Sequence, residues 1–196
     1  MGPPQGKHAP PLGLLHAAGR SIIATASGGD NRRHAGDALF YFAYGSNLDP
    51  VQMGSRCPEH RVVGMAALHD HRLAFPRFTE SWEGGTASVV PGHGATVWGV
   101  LFDLDEGCLA VLDRHEHFLG AGDPDNHYDR EHVTVEITRP DDGSIPRRVR
   151  AWTYFARAAN PTPPSRRYLD TILRGAHHHR LPEEYVAALA ATPTGA

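Results

Sequence analysis

The stretch Leu39-Phe40-Tyr41-Phe42-Ala43-Tyr44-Gly45-Ser46-Asn47-Leu48-Asp49-Pro50 constrains this chain more than any other. It opens as an apolar, aromatic run of the kind found in buried strands. The run breaks at Gly45-Ser46-Asn47, small residues that tolerate tight or left-handed backbone. Asp49 followed by Pro50 reads as a helix N-cap and first helical residue. A strand therefore delivers a loop of N–H groups to the mouth of a helix, a geometry that suits an anion or a carbonyl oxygen. An ordinary strand–turn–helix corner carries the same letters, so the stretch alone leaves both readings open.

Around it the chain divides into two regions of different composition. Residues 1–37 are rich in Gly, Pro, Ala and His and poor in aromatics, and read as a disordered N-terminal extension. Pro11-Leu12-Gly13-Leu14-Leu15 is too short and interrupted for a signal-peptide core, although Ala24-Thr25-Ala26 fits a small-x-small cleavage pattern. Residues 38–196 read as one domain. Arg61 to Leu68 and His71 to Phe78 are expected as two strands around His69-Asp70. Thr86 to Val90 and Ala95 to Leu104 are expected as another pair around Pro91-Gly92-His93-Gly94. Asp105 caps a helix expected to reach about His117. His132 to Thr138 and Arg147 to Phe155 flank a hairpin at Pro140-Asp141-Asp142-Gly143. Leu169, Ile172, Leu173 and Ala176 form a helical stripe, and a last helix follows Leu181-Pro182 with Tyr185, Ala188 and Leu189. Mostly antiparallel strands with late helices give an α+β class.

Several functions find no support in these letters. The net charge is −3 and no basic stripe is present, which argues against nucleic acid as a partner. No apolar run approaches the roughly 20 residues that span a bilayer. Cys57 and Cys108 lie in no paired motif; they read as core or near-core thiols, with a reducing cytoplasm as the default location. The 14 histidines raise the question of metal. His177-His178-His179 point about 100° apart on a helix and cannot converge on one ion, and His115-Glu116-His117 fails in the same way. No metal and no cofactor is expected. Ser46 lacks a G-x-S-x-G context, which argues against a serine hydrolase.

One carboxylate sits where an apolar residue belongs. Leu109 and Leu112 mark the buried face of the helix after Asp105, and Glu116 continues that stripe at i+7. Burial and the negative helix end both raise a carboxyl pKa, which suits a general acid/base. A helix-end glutamate that reaches out to water, beside Arg114 or Arg130, has the same spacing.

The letters also carry a resemblance. Tyr-Phe-Ala-Tyr-Gly-Ser-Asn-Leu resembles the signature of the γ-glutamylcyclotransferase family. Val97-Trp98-Gly99-Val100 followed by Leu112-Asp113-Arg114-His115-Glu116 is similar to its VWGV strand and LD-x-x-E helix end. Tyr128-Asp129-Arg130 matches the start of its next strand. Pro164-Ser165-Arg166-Arg167-Tyr168, Gly175-Ala176 and Leu181-Pro182-Glu183-Glu184-Tyr185 match its closing helices in order. The resemblance runs from Leu39 to about Thr192. It implies a small, mixed, mostly antiparallel β-barrel with flanking helices. It also implies Glu116 as catalytic acid/base and a substrate site built from Tyr44, Gly45, Ser46, Asn47, Leu48, Tyr128 and Tyr168. His117 stands where the family usually has Gly, and the loop Phe118 to His127 is longer than in the animal enzymes. Tyr-Gly-Ser-Asn differs from the Tyr-Gly-Thr form of the γ-glutamylamine cyclotransferases.

The implied reaction cyclises the γ-glutamyl group of a γ-glutamyl amide to 5-oxoproline and frees the amine. That amine is an amino acid, the Cys-Gly of glutathione, or a biosynthetic intermediate. The partner is thus a small-molecule γ-glutamyl substrate; a monomer and a homodimer both remain open. Two other readings use the same residues: a catalytically silent γ-glutamyl-binding domain and a small amide hydrolase.

Overall fold

The computed structural model describes residues 2, 38–138, 147–158 and 160–195. The reading of residues 1–37 as a disordered extension and the predicted turn at 140–143 lie outside them. Five strands close into a barrel. They are β1 (Leu39–Ala43), β2 (Arg61–Thr79), β3 (Gly84–Leu104), β4 (Tyr128–Ile137) and β5 (Arg148–Ala156). Their order is β1-β3-β2-β4-β5, and β5 returns to β1. Every pairing is antiparallel except β1 with β5, so the barrel is mixed and mostly antiparallel, as expected. Closure removes the unpaired edges that an open sheet would expose.

Around the barrel lie α1 (Pro50–Arg56), α2 (Glu106–His115), α3 (Arg166–His178) and α4 (Glu183–Ala190). Three begin on the caps their sequences offer. The carboxylate of Asp49 accepts from Gln52 N at 2.9 Å, with Pro50 as first helical residue. Asp105 accepts from Cys108 N at 2.6 Å and Ser165 from Tyr168 N at 3.2 Å. Each such cap is worth about 1 kcal/mol. Leu169, Ile172, Leu173 and Ala176 are all buried against the barrel with Phe42, Phe102 and Leu112. Burying a side chain of Leu, Ile or Phe size contributes about 1.5–3 kcal/mol, so this face holds α3 in place.

Four sequence expectations change. The two predicted strand pairs are two long strands. β2 and β3 pair with each other from Arg61↔Asp103 to Thr79↔Gly84, and the turn residues near 70 and 91–94 become irregularities within them. Asp70 takes a left-handed φ of 57°, and its carboxylate accepts from Gly94 N at 2.9 Å, so the suspected turn is a kink. The true reversal lies between Thr79 and Gly84, where Glu83 has φ 54°. Helix α2 stops at His115 and Glu116 is its C-cap, because His117 turns left-handed at φ 51°. In α4 the buried residues are Val186 and Leu189, and Ala188 is exposed.

The fourth correction concerns the cysteines. Cys57 and Cys108 are joined in a disulfide with Cα atoms 5.2 Å apart, not held as separate thiols. Their separation of 51 residues hides the pairing, since it depends on the end of α1 meeting the first turn of α2. The argument for a reducing compartment from unpaired cysteines loses its basis.

Candidate active site

Strand β1 ends at Ala43, and the chain then makes a 3-10 turn, Ser46–Leu48, before entering α1. Leu48 N donates to Gly45 O and Asp49 N to Ser46 O, both at 3.0 Å. The turn rests on α3 at Gly175, where an added Cβ would stand 2.2 Å from the Leu48 carbonyl carbon. Only glycine permits that approach. Arg174, one residue earlier, bonds the Asp49 carboxylate at 2.9 Å and ties the same turn to the same helix.

A pocket with about 330 Å³ of open space lies beside this turn. Its lining includes Tyr44, Gly45, Ser46 and Asn47 from the turn, Glu116 from the end of α2, Tyr128 from β4 and Tyr168 from α3. Seven of the eight residues singled out in the sequence thus meet. Leu48 does not: its side chain is fully buried in the core and serves the turn's packing on α3. Tyr41, Ala87 and Tyr154 complete the lining. Sequence reasoning passed over Tyr41 and Tyr154 because an aromatic in a strand reads as core.

Glu116 is the one carboxylate among the described residues that line the pocket, and its side chain is 18% exposed. Its Oε1 accepts from Asn47 Nδ2 at 3.3 Å and lies 3.7 Å from Arg56 Nη1. Asn47 is fixed on both sides of its amide. Nδ2 also donates to the Tyr41 hydroxyl at 2.9 Å, while Oδ1 accepts from Arg56 at 2.6 Å and from Gln52 at 3.2 Å. Gln52 further donates to Ser46 Oγ at 2.9 Å. Arg56 was missed in the sequence; the turn of α1 brings it back under Asn47.

Burial pushes the Glu116 carboxyl up from its ordinary value, and the Arg56 charge and the Asn47 bond pull it partly back. The aromatic wall stays neutral. Burial raises the Tyr41, Tyr44, Tyr128 and Tyr154 hydroxyls well above their usual value and pushes Tyr168 up to about 12. Each hydroxyl is anchored. Tyr128 donates to Thr86 Oγ1 at 2.7 Å, and its oxygen lies 3.2 Å from Ala87 O. Tyr154 donates to Asp113 at 2.8 Å, and Asp113 is held by Arg130 at 2.6 Å. Tyr44 donates to the Tyr154 carbonyl. The oxygen of Tyr168 accepts from Ala87 N at 3.0 Å, and Ser46 faces it too. The Ser46 hydroxyl neighbours Gln52 and Tyr168, not an imidazole, so it has no base to activate it. Among the described residues, no three metal-ligating side chains gather. No helix among them is long and apolar enough to cross a membrane.

This arrangement is a small, mostly neutral chamber with one carboxyl of raised proton affinity and several oriented donors. It can bind a polar, zwitterionic group and move one proton within it.

Comparison with known proteins agrees with the geometry. Residues 41–188 match the family model described as gamma-glutamyl cyclotransferase, AIG2-like. A gamma-glutamylcyclotransferase of Bos taurus is 31% identical over 160 residues, 80% of this chain and 79% of that protein. The one from Homo sapiens is 29% identical over 160 residues, 79% of each. A solved structure titled gamma-glutamyl cyclotransferase superposes with a TM-score of 0.71 at 27% identity, covering 81% of this chain and 90% of that one.

Proposed function

The chain belongs to the gamma-glutamyl cyclotransferase, AIG2-like family, and from that premise we propose that it converts γ-glutamyl amides to 5-oxoproline and the free amine. The observation that carries the proposal is Glu116: a single carboxylate of raised proton affinity, facing a pocket whose serine has no base. Such a site holds a proton shuttle without an activated serine, which supports a reading in which the nucleophile belongs to the substrate.

In this reading the α-ammonium of the γ-glutamyl group gives a proton to Glu116. The freed amine attacks the side-chain carbonyl, forming a C–N bond and a five-membered ring, and the carbonyl oxygen becomes an oxyanion. The Tyr168 hydroxyl and the Gly45 and Asn47 amides are the donors nearest to hand for that charge or for the substrate carboxylate. The ring-forming nitrogen gives up its second proton to Glu116 once that carboxyl has returned the first, and the released amine carries it away as an ammonium. The bond to the leaving nitrogen breaks as protonated Glu116 returns a proton to it. The tether between amine and carbonyl supplies the high effective molarity that a protein nucleophile would otherwise provide. On this proposal the chemistry is an internal acyl transfer that cleaves a carbon–nitrogen bond, and no step passes through a metal or cofactor.

Ring size supplies the test. A γ-glutamyl amide closes a five-membered ring, a β-aspartyl amide a four-membered one, an α-glutamyl peptide a three-membered one. Purified protein incubated with these three and with an N-acylated γ-glutamyl amide should release 5-oxoproline from the first alone, as read by mass spectrometry. Glutamate as product, or cleavage of the N-acyl compound, would establish an amide hydrolase instead. Binding with no product from any compound would establish a silent binding domain.

A further inference from the structure

The chain's two cysteines form one bond that no step of the proposed reaction uses. Cys57 directly follows Arg56 and is the C-cap of α1, and Cys108 lies in the first turn of α2, the helix capped by Glu116. From Cys108 the helix rises about 12 Å to Glu116. The Arg56 side chain reaches the same carboxyl from α1: its Nη1 donates to Asn47 Oδ1 at 2.6 Å and lies 3.7 Å from Glu116 Oε1. Disulfide, α2 and Arg56 thus close a frame around Glu116, with one covalent corner.

That corner matters because α1 is thinly anchored by packing. Of its seven residues only Met53 is buried, and Val51 is 79% exposed. The first turn is tied down by Asp49, which caps Gln52 N and is bound by Arg174. At the other end Cys57 N donates to Met53 O at 2.8 Å within the helix itself, and the bond from Cys57 to Cys108 ties that end to α2. Helix α2 is held independently: Leu109 and Leu112 are buried, and Asp113 is bound by Tyr154 and Arg130. Opening the disulfide therefore frees the end of α1 that carries Arg56 and leaves Glu116 in place. Beyond Cys57, His60 N donates to Cys57 O at 3.1 Å and its ring lies 5.3 Å from that of Phe102, so the release is a shift of one turn and not an unfolding.

We infer that the Cys57–Cys108 disulfide is a redox-sensitive positioning element for the pocket: closed, it holds Arg56 against Asn47 and Glu116, and opened, it lets Arg56 withdraw and weakens turnover at neutral pH. This rests on the cyclotransferase reading of the pocket. The reductant is a small thiol or dithiol. A dithiol gives two electrons and two protons, the S–S bond breaks to two Sγ–H groups, and the dithiol leaves as its own disulfide. Arg56 is the cation that pulls the Glu116 carboxyl down against burial, so its withdrawal strengthens that carboxyl's hold on a proton. Among the described residues, the other groups that face Glu116 are Tyr41 on β1, Tyr44 after it, Tyr128 on β4, Tyr154 on β5 and Tyr168 on α3, which stay neutral. His115, beside it in the chain, is lowered by burial first and then by Arg56 and Arg114, and is neutral at pH 7 as well.

The experiment uses the full chain oxidised, the full chain after dithiothreitol, and the double variant Cys57→Ala with Cys108→Ala, each with and without Arg56→Met. Thiol titration scores the bond, circular dichroism the fold, and rates are taken well below the melting midpoint. With γ-glutamyl-alanine, which has no thiol, opening the bond should lower kcat/KM roughly 3- to 10-fold at pH 7, at most the worth of the Arg56 contact. The acid limb should move to higher pH, and reoxidation should restore both. In Arg56→Met, opening should change neither, because bond and arginine act through one contact. Carbon-13 NMR titration of the Glu116 carboxyl, assigned with Glu116→Gln, should show the same upward shift without turnover. Equal losses with and without Arg56, or an unmoved limb and carboxyl, would make the bond a fold staple and overturn the inference. A bond that survives dithiothreitol in the folded chain overturns its redox sensitivity. If the double variant does not fold, the reduced wild-type chain decides. If no 5-oxoproline forms, the cyclotransferase reading fails, while the carboxyl titration still decides the role of the disulfide.

Discussion

The floor of the pocket and its rim are built on opposite plans. On the floor, the side chains interlock: Asn47 alone joins Tyr41, Gln52, Arg56 and Glu116. At the rim, Arg77 Nε is buried without a hydrogen bond to any described residue, and His117 holds a left-handed backbone that costs a β-substituted residue energy. An over-determined floor fixes geometry to the accuracy that proton transfer needs. A rim with local strain can change without disturbing that geometry. On the proposed function the chemistry belongs to the floor, and the rim can vary around it.

The largest effect should come from the floor's one carboxyl. Glu116→Gln keeps the Asn47 contact in reach but removes the proton shuttle, and kcat should fall roughly 10²–10⁴-fold with the fold intact by circular dichroism. Near-normal turnover in a folded Gln variant would move the chemistry elsewhere and erase the distinction.

Next in size is the staple beneath the floor. The disulfide ties the residue after Arg56 to the first turn of the helix that ends in Glu116. Replacing Cys57 and Cys108 by Ala should destabilise the chain by about 2–4 kcal/mol in denaturant titration. Reduction of the wild-type chain should do the same. An unchanged midpoint with both thiols shown free by titration would mean that the floor is held by its hydrogen bonds and packing alone.

The floor was also the more legible region. Leu39 to Pro50 announced a strand, a turn and a capped helix, and the structure has all three. The stripe Leu109, Leu112, Glu116 announced a carboxylate on a buried face, because helical periodicity is local information. What stayed hidden depends on contacts between distant segments. The register irregularities of β2 and β3 merged four predicted strands into two, since turn-forming residues also make bulges. Tyr154 reached the pocket through barrel closure, and the Cys57–Cys108 pair through the meeting of α1 and α2. Arg77 carried no sequence signal at all: only the register with Thr86 gives its side.

A smaller effect distinguishes the two functions of Arg56. Its charge lowers the Glu116 pKa while its Nη1 orients Asn47. Removing the cation should let burial act unopposed by it, so the Glu116 pKa rises. If ionised Glu116 is the base, the acid limb of kcat/KM moves to higher pH. Arg56→Met should lose roughly tenfold at neutral pH, the worth of one hydrogen bond to a charged group, and regain part of it as pH rises. Burial exchanges the same way for Tyr41, Tyr44, Tyr128, Tyr154 and Tyr168 around the carboxyl, but these are neutral across that range and leave the limb to Arg56 and Asn47. A flat loss at all pH values would assign Arg56 to orienting Asn47 alone.

The smallest effect should come from the rim, at His117, where the family resemblance implies glycine. His117→Gly relieves a left-handed backbone of φ 51° but loosens the unfolded chain and removes the ring that packs against His127. Strain relief of about 1 kcal/mol and the entropic cost of about 0.4–1 kcal/mol act in opposite directions. The melting midpoint should therefore shift by no more than a few degrees. The bond from His127 N to His117 O uses backbone atoms and survives the change, so the loop should keep its course past the pocket. Turnover should then change through KM more than through kcat, because the carboxyl of Glu116 is positioned by Asn47 and Arg56 rather than by the residue after it. A hundredfold loss of kcat in His117→Gly would show that the rim's strained residue sets the geometry of the floor, and the two regions would have to be treated as one device.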